Sequence, residues 1–203
     1  FSLEEMLIAI AVGSANDACY AVAEHISGTH EAFVEEMNKK AQEIGAVDTS
    51  FKNPNGLDEE GHYTTAYDLA LITRYALKNK IFAEIVKTQE KKIPWQGHEW
   101  DRTLQNHNKL LKMYEGCDGV KTGYTKKSGR CLVSSATRNG WQVVAVTLNA
   151  PNDWEDHKKM LDYAFDGYTL TTICEEGDYM KTVPVKDGKK DRIVLTTYSN
   201  FAI

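Results

Sequence analysis

Three short strand-like segments, residues 119–123, 130–136 and 141–148, constrain the fold more than any other feature, because only short turn segments separate them. Those segments carry Lys127-Ser128-Gly129 and Arg138-Asn139-Gly140. A parallel crossover needs a dozen residues or more, so strands this closely spaced must run antiparallel. The segment therefore predicts a three-stranded antiparallel sheet with tight turns.

The residues before this sheet read as helices. Ser2 followed by Glu5 is a capping box, and Leu3, Met6, Leu7 and Ile10 then recur at helical spacing until Gly13. Ser14-Ala15-Asn16 opens a second helix with Ala18, Val22, Ala23 and Ile26 on one face, ending at Ser27-Gly28. Phe33, Met37, Ala41 and Ile44 mark a third helix that stops at Gly45. Residues 46–63 lose the period, and Asn53-Pro54-Asn55-Gly56 makes them a loop long enough to serve a function. Thr65 with Asp68 caps a helix from Ala66 to about Leu77, and residues 91–112 read as a short hairpin plus an irregular connection.

A helix returns over residues 153–165, with Trp154, Met160, Leu161 and Ala164 expected on its inner face. From Gly177 onward, Tyr179, Val183 and Val185 and then Ile193, Val194 and Leu195 flank Asp187-Gly188 as a new β-hairpin. The chain is thus an α/β (α+β) protein, divided into residues 1–174 and the beginning of a β domain at 175–203. Phe1-Ser2-Leu3-Glu4-Glu5 reads as a helix already under way, as expected of a fragment or processed piece.

Composition excludes several functions. The 203 residues carry 24 Lys+Arg against 29 Asp+Glu, a net charge of −5, which disfavours nucleic acid held on a basic surface. No apolar run approaches the length that spans a bilayer. Cys19, Cys117, Cys131 and Cys174 form no Cys-x-x-Cys pair, and the six histidines form no His-Glu-x-x-His, so no metal and no cofactor is expected.

Two short elements combine a hydroxyl with a polar nitrogen group at a junction: Ser14-Ala15-Asn16 between helices, and Lys121-Thr122-Gly123 on a strand. Alone, the first is usually a helix N-cap and the second an edge strand with a solvated lysine. In this order they resemble the Ser-x-Asn and Lys-Thr-Gly motifs of the penicillin-recognising serine acyltransferases. The chain is more narrowly similar to the serine-type D-alanyl-D-alanine carboxypeptidases of the low-molecular-mass penicillin-binding proteins, peptidase family S11. The resemblance extends over Gly13–Ala18, Asn53-Pro54-Asn55-Gly56-Leu57, His62–Ala70 and Asp118–Thr125. It implies a β-lactamase-like transpeptidase fold, an antiparallel sheet flanked by helices, followed by the start of a small all-β domain.

One departure is large. The family's nucleophilic serine lies in a Ser-x-x-Lys motif upstream of Ser-x-Asn, and none of the 203 residues begins such a motif. Ser135-Ala136-Thr137-Arg138 comes nearest, but an arginine cannot give up its proton. The expectation is a nucleophile upstream of this chain and an inactive chain on its own.

The resemblance implies roles. Ser14 relays a proton toward the departing D-alanine nitrogen, Asn16 orients the substrate amide, and Lys121 adds positive charge beside relay and substrate. Thr122 offers a hydroxyl to the terminal carboxylate, Gly123 leaves room for a substrate laid along the strand, and the backbone N–H of Tyr124 donates to the oxyanion. The basic tract Lys121, Lys126, Lys127 and Arg130 suits an anionic substrate or simply a charged strand edge. Asp68 is expected to be a structural cap, His62 and His107 to be loop or core residues, and Trp95, Trp100 and Trp141 to serve packing or a peptide groove.

The implied activity removes the terminal D-alanine from peptidoglycan stem pentapeptides through a serine acyl-enzyme, with β-lactams acting as substrate mimics. Implied partners are the stem peptide, β-lactams and, through a C-terminal anchor outside this chain, a membrane surface; implied placement is secreted, on the cell-wall side of the cytoplasmic membrane, with a role in cell shape. A catalytically inactive peptidoglycan-binding relative is the alternative. A β-lactamase is a third, disfavoured because no Glu-x-x-Leu-Asn segment supplies its deacylating glutamate.

Overall fold

The computed structural model describes residues 1–95 and 97–202. Three helices open the chain: α1 (Leu3–Gly13), α2 (Asn16–Ser27) and α3 (His30–Glu43). Ser2 caps α1 with the reciprocal Glu5 contact that the sequence predicts, and Thr29 caps α3 by accepting from the Ala32 N–H. After the loop come α4 (Ala66–Leu77) and α5 (Lys80–Lys87), then a hairpin of β1 (Glu90–Ile93) and β2 (Arg102–Gln105) and the short α6 (Leu110–Met113). Ile8 and Val12 of α1 pack on Ile93 and Leu104 of the hairpin, all nearly buried. A close-packed seam of this kind costs about 2–5 kcal/mol per leucine truncated.

The sheet follows as expected: β3 (Cys117–Thr125), β4 (Gly129–Arg138) and β5 (Trp141–Thr147), antiparallel and in the order β3-β4-β5. Thr122 pairs with Leu132, and Tyr124 with Arg130. β4 is central and therefore buried, with Leu132, Ser134, Ser135 and Ala136 all sealed from solvent. β3 lies at one edge of this sheet.

A final helix, α7 (Asp153–Gly167), corrects one expectation. Its buried residues are Asp153, His157 and Leu161, spaced by four, while Met160 is 37% exposed. Leu161 is buried as the apolar pattern expects, but the pattern missed Asp153 and His157, because there the sheet receives a histidine and an aspartate through hydrogen bonds rather than through apolar contact.

The chain divides into two compact units, Phe1–Ala164 and Phe165–Ile203. The boundary expected after residue 174 falls inside the second unit, which holds β6 (Thr172–Cys174), β7 (Tyr179–Pro184), β8 (Arg192–Thr196) and β9 (Phe201–Ala202). There β7 pairs with β8 and β6 with β9, both antiparallel.

Candidate active site

Ser14 stands between α1 and α2 with φ 56° and ψ 42°, a left-handed conformation unusual for a residue with a side chain. That backbone costs about 1–2 kcal/mol for a non-glycine residue. The hydroxyl is not a helix cap: Ala15 is the N-cap residue of α2, and no side chain caps it. Instead Ser14 Oγ accepts a 2.9 Å hydrogen bond from Lys121 Nζ on β3, 107 positions away in sequence. Lys121 also donates to the Thr122 carbonyl at 2.9 Å. Burial lowers the Lys121 pKa below that of an ordinary lysine. Cys19, one turn into α2, feels the lysine charge, yet burial pushes its thiol up.

Ser14, Thr122, Gly123 and Tyr124 line a cleft of about 560 Å³. The Thr122 hydroxyl has no hydrogen-bond partner among the described residues. Nor does the Asn16 side chain, which sits at the first position of α2, so the structure links Ser14 with Lys121 directly but leaves Asn16 outside that bond. Gly123 has no need of glycine from within the protein: a Cβ there would meet Cys131 at an ordinary 3.7 Å. At Gly116, by contrast, a Cβ would lie 2.5 Å from the Thr137 carbonyl oxygen and φ is +80°, so that glycine is required by the fold itself.

The other sequence candidates fall elsewhere. Asp68 accepts from the Asp48 N–H at 2.8 Å and the Thr49 hydroxyl at 2.7 Å, pinning the 46–63 loop to α4 as a structural residue. Asp58 accepts from the Thr125 hydroxyl at 2.8 Å and so ties that loop to the end of β3. Trp95 and Trp100 meet His98 with ring centroids 4.1 and 5.0 Å apart in the connection between β1 and β2, outside the cleft. Ser135 is sealed and donates to Asp118, which removes the nearest approach to Ser-x-x-Lys from consideration.

The cleft is also lined by His107, expected as a loop or core residue, by Trp154, expected on the inner face of α7, and by Lys109 and Asp153, which no motif singled out. Arg130 lies there too, its Nε and Nη2 donating to Asp153 at 3.1 and 2.8 Å. The readable signal was the basic tract, but charge alone does not tell a gripped arginine from a solvated one.

Ser134 and His157 offer a second hydroxyl–nitrogen pair, 2.6 Å apart. Thr147 takes the other ring nitrogen at 3.0 Å, and both Ser134 and His157 are fully buried. Burial drives the imidazole pKa down to about 4. With both nitrogens engaged and no opening to solvent, this pair is a polar clasp between sheet and helix.

The chain is also similar to known proteins. Residues 1–152 match the D-alanyl-D-alanine carboxypeptidase family, Peptidase S11. The D-alanyl-D-alanine carboxypeptidase DacF of Bacillus subtilis is 42% identical over all of this chain and 52% of its own length. DacD of Escherichia coli is 33% identical over 98% of this chain and 51% of its own. The chain thus spans about half the length of the curated relatives it matches. Penicillin binding protein 5 from Haemophilus influenzae superposes on the whole chain and 59% of its own with a TM-score of 0.86 at 30% identity. With Ser-x-Asn and Lys-Thr-Gly brought into contact on that fold, the chain belongs to the D-alanyl-D-alanine carboxypeptidase family.

Proposed function

We propose that these residues form the leaving-group and carboxylate side of an active site that removes the terminal D-alanine from peptidoglycan stem peptides. The observation that carries the reading is the 2.9 Å Lys121–Ser14 hydrogen bond at the wall of an open cleft. A seryl oxygen attacks the carbonyl of the penultimate D-alanine, the C–N bond breaks, and free D-alanine leaves with a proton on its nitrogen. Water then hydrolyses the ester and restores the serine. β-Lactams enter the same route and stop at the acyl-enzyme.

Ser14 is suited to hand the proton to the leaving nitrogen, because a hydroxyl both donates and accepts. Lys121, whose proton burial loosens, supplies charge to that relay. Thr122 offers its hydroxyl to the substrate's carboxylate, and Asn16 its amide to the substrate backbone. The Tyr124 N–H is the oxyanion donor contributed by β3. The Cβ space left open at Gly123 lets a peptide lie against the strand as an added β-partner. The nucleophile belongs to a Ser-x-x-Lys segment outside these 203 residues, and the reaction lies beyond the cytoplasmic membrane, where peptidoglycan is found.

Fluorescent penicillin followed by intact mass tests this in the longer protein. One covalent adduct on a Ser-x-x-Lys serine is the expected result. Peptidoglycan binding without an adduct would replace the enzyme with a binding relative, the second reading raised by the absence of Ser-x-x-Lys here.

A further inference from the structure

A carboxypeptidase must distinguish a chain end from a chain interior, and the charge that marks the end is the free carboxylate. Lys121 is a poor reader of that mark, because two of its three donors already serve Ser14 and the Thr122 carbonyl. Thr122 is neutral. Lys109, on the cleft wall, is exposed and has no side-chain partner among the described residues to fix it, so it brings charge without geometry.

Arg130 differs from both. It stands directly across the ladder from Tyr124, and the two-residue period of a strand puts Thr122, Tyr124 and Arg130 on one face. Asp153, only 4% exposed, holds the Nε/Nη2 edge of the guanidinium side-on, and the Trp154 ring lies 5.6 Å from its Cζ. A guanidinium has a second two-donor edge, Nη1 with the remaining Nη2 proton. Nη1 has no partner among the described residues, and the side chain is 42% exposed in the same cleft as Thr122 and Gly123. The Asp153 bridge also ties α7 to β4, but it occupies only the Nε/Nη2 edge and leaves Nη1 without a partner among the described residues.

We propose that Arg130, pre-positioned by Asp153 and Trp154, is the specificity residue that binds the substrate's C-terminal carboxylate through its open edge, with the Thr122 hydroxyl as its companion. The proposal rests on the carboxypeptidase reading and adds to it the residue that recognises the chain end. Arginine is needed rather than lysine because the planar group spaces two carboxylates on different edges, where a point charge would crowd them. The ordering entropy of the side chain is spent in the free protein, so binding does not pay it again.

The test uses the longer protein and two peptides ending in D-Ala-D-Ala, one with a free carboxylate and one with a carboxamide. Wild type should prefer the carboxylate form. Arg130→Gln should lower kcat/KM for that form by about ten- to a hundredfold and lower it several-fold less for the carboxamide form, which keeps an acceptor oxygen but no charge. Arg130→Lys, which keeps the charge and loses the fork, should recover only part of the loss. Equal losses on both peptides, or full recovery by lysine, would overturn the proposal. Titration of the two peptides by NMR separates this from the activity itself. A carboxylate preference that Arg130→Gln abolishes upholds the arginine's role even in a protein that hydrolyses neither peptide; binding with no such preference overturns it, as does binding of neither peptide.

Discussion

Two hydroxyl–nitrogen pairs in this chain have similar lengths and opposite meanings. Ser134 and His157 meet at 2.6 Å with Asp153 four residues before the histidine, an assembly that looks like nucleophile, base and acid. Ser14 and Lys121 meet at 2.9 Å. The first pair is sealed, both imidazole nitrogens are taken, and the aspartate is committed to Arg130. The second stands on the wall of an open cleft. Access and unspent hydrogen-bonding capacity, rather than the identity of the partners, separate a reactive constellation from a structural clasp.

The largest effect that sharpens this contrast is expected at Lys121. In the longer protein, Lys121→Ala should slow acylation by penicillin about a thousandfold, within the range for losing a positioned proton-transfer group or charge donor, with little change in thermal stability. Stopped-flow or gel-based acylation rates together with a thermal melt check it.

Next comes the pH response of the sealed pair. The His157 pKa is about 4 in the fold against 6.5 for the free side chain, so the unfolded chain binds more protons between those values. The contribution is fully present above pH 6.5 and is lost as pH falls toward 4, up to about 3 kcal/mol. His157→Gln should flatten that slope in urea titrations across the window. An unchanged slope would mean that the imidazole is not held neutral.

Ser134→Ala leaves the buried His157 Nδ1 without a partner and should cost about 2 kcal/mol of stability while the acylation rate of the folded protein stays at the wild-type value. Smallest is Gly123→Ala. The fold accepts the methyl group at 3.7 Å from Cys131, so the melt should not move, but a substrate on the strand should lose about tenfold in affinity.

Much of this was legible in advance. Turn spacing gave the antiparallel sheet, and the capping residues Ser2 and Thr65 placed their helix starts where dihedral geometry confirms them. Lys-Thr-Gly and Ser-x-Asn were visible as motifs. Their contact was not, because a hydrogen bond spanning 107 positions leaves no local periodicity. The left-handed backbone at Ser14 was equally hidden, since serine carries no conformational signature as glycine does. The inner face of α7 was half-read for a related reason: pattern reading scores apolar residues, so it found Leu161 and missed Asp153 and His157. Arg130 could be seen only as one charge among several, because what distinguishes it is the buried carboxylate 23 residues later.

The most direct measurement compares second-order acylation rates by benzylpenicillin for Ser14→Ala and Ser134→Ala in the longer protein, each with its melting temperature. If the open pair is the reactive one, Ser14→Ala acylates about a hundredfold more slowly at an unchanged melting temperature, while Ser134→Ala melts earlier and acylates at the wild-type rate. Acylation of Ser14→Ala at the wild-type rate would contradict the assignment of the Ser14–Lys121 cleft as the site of acyl transfer.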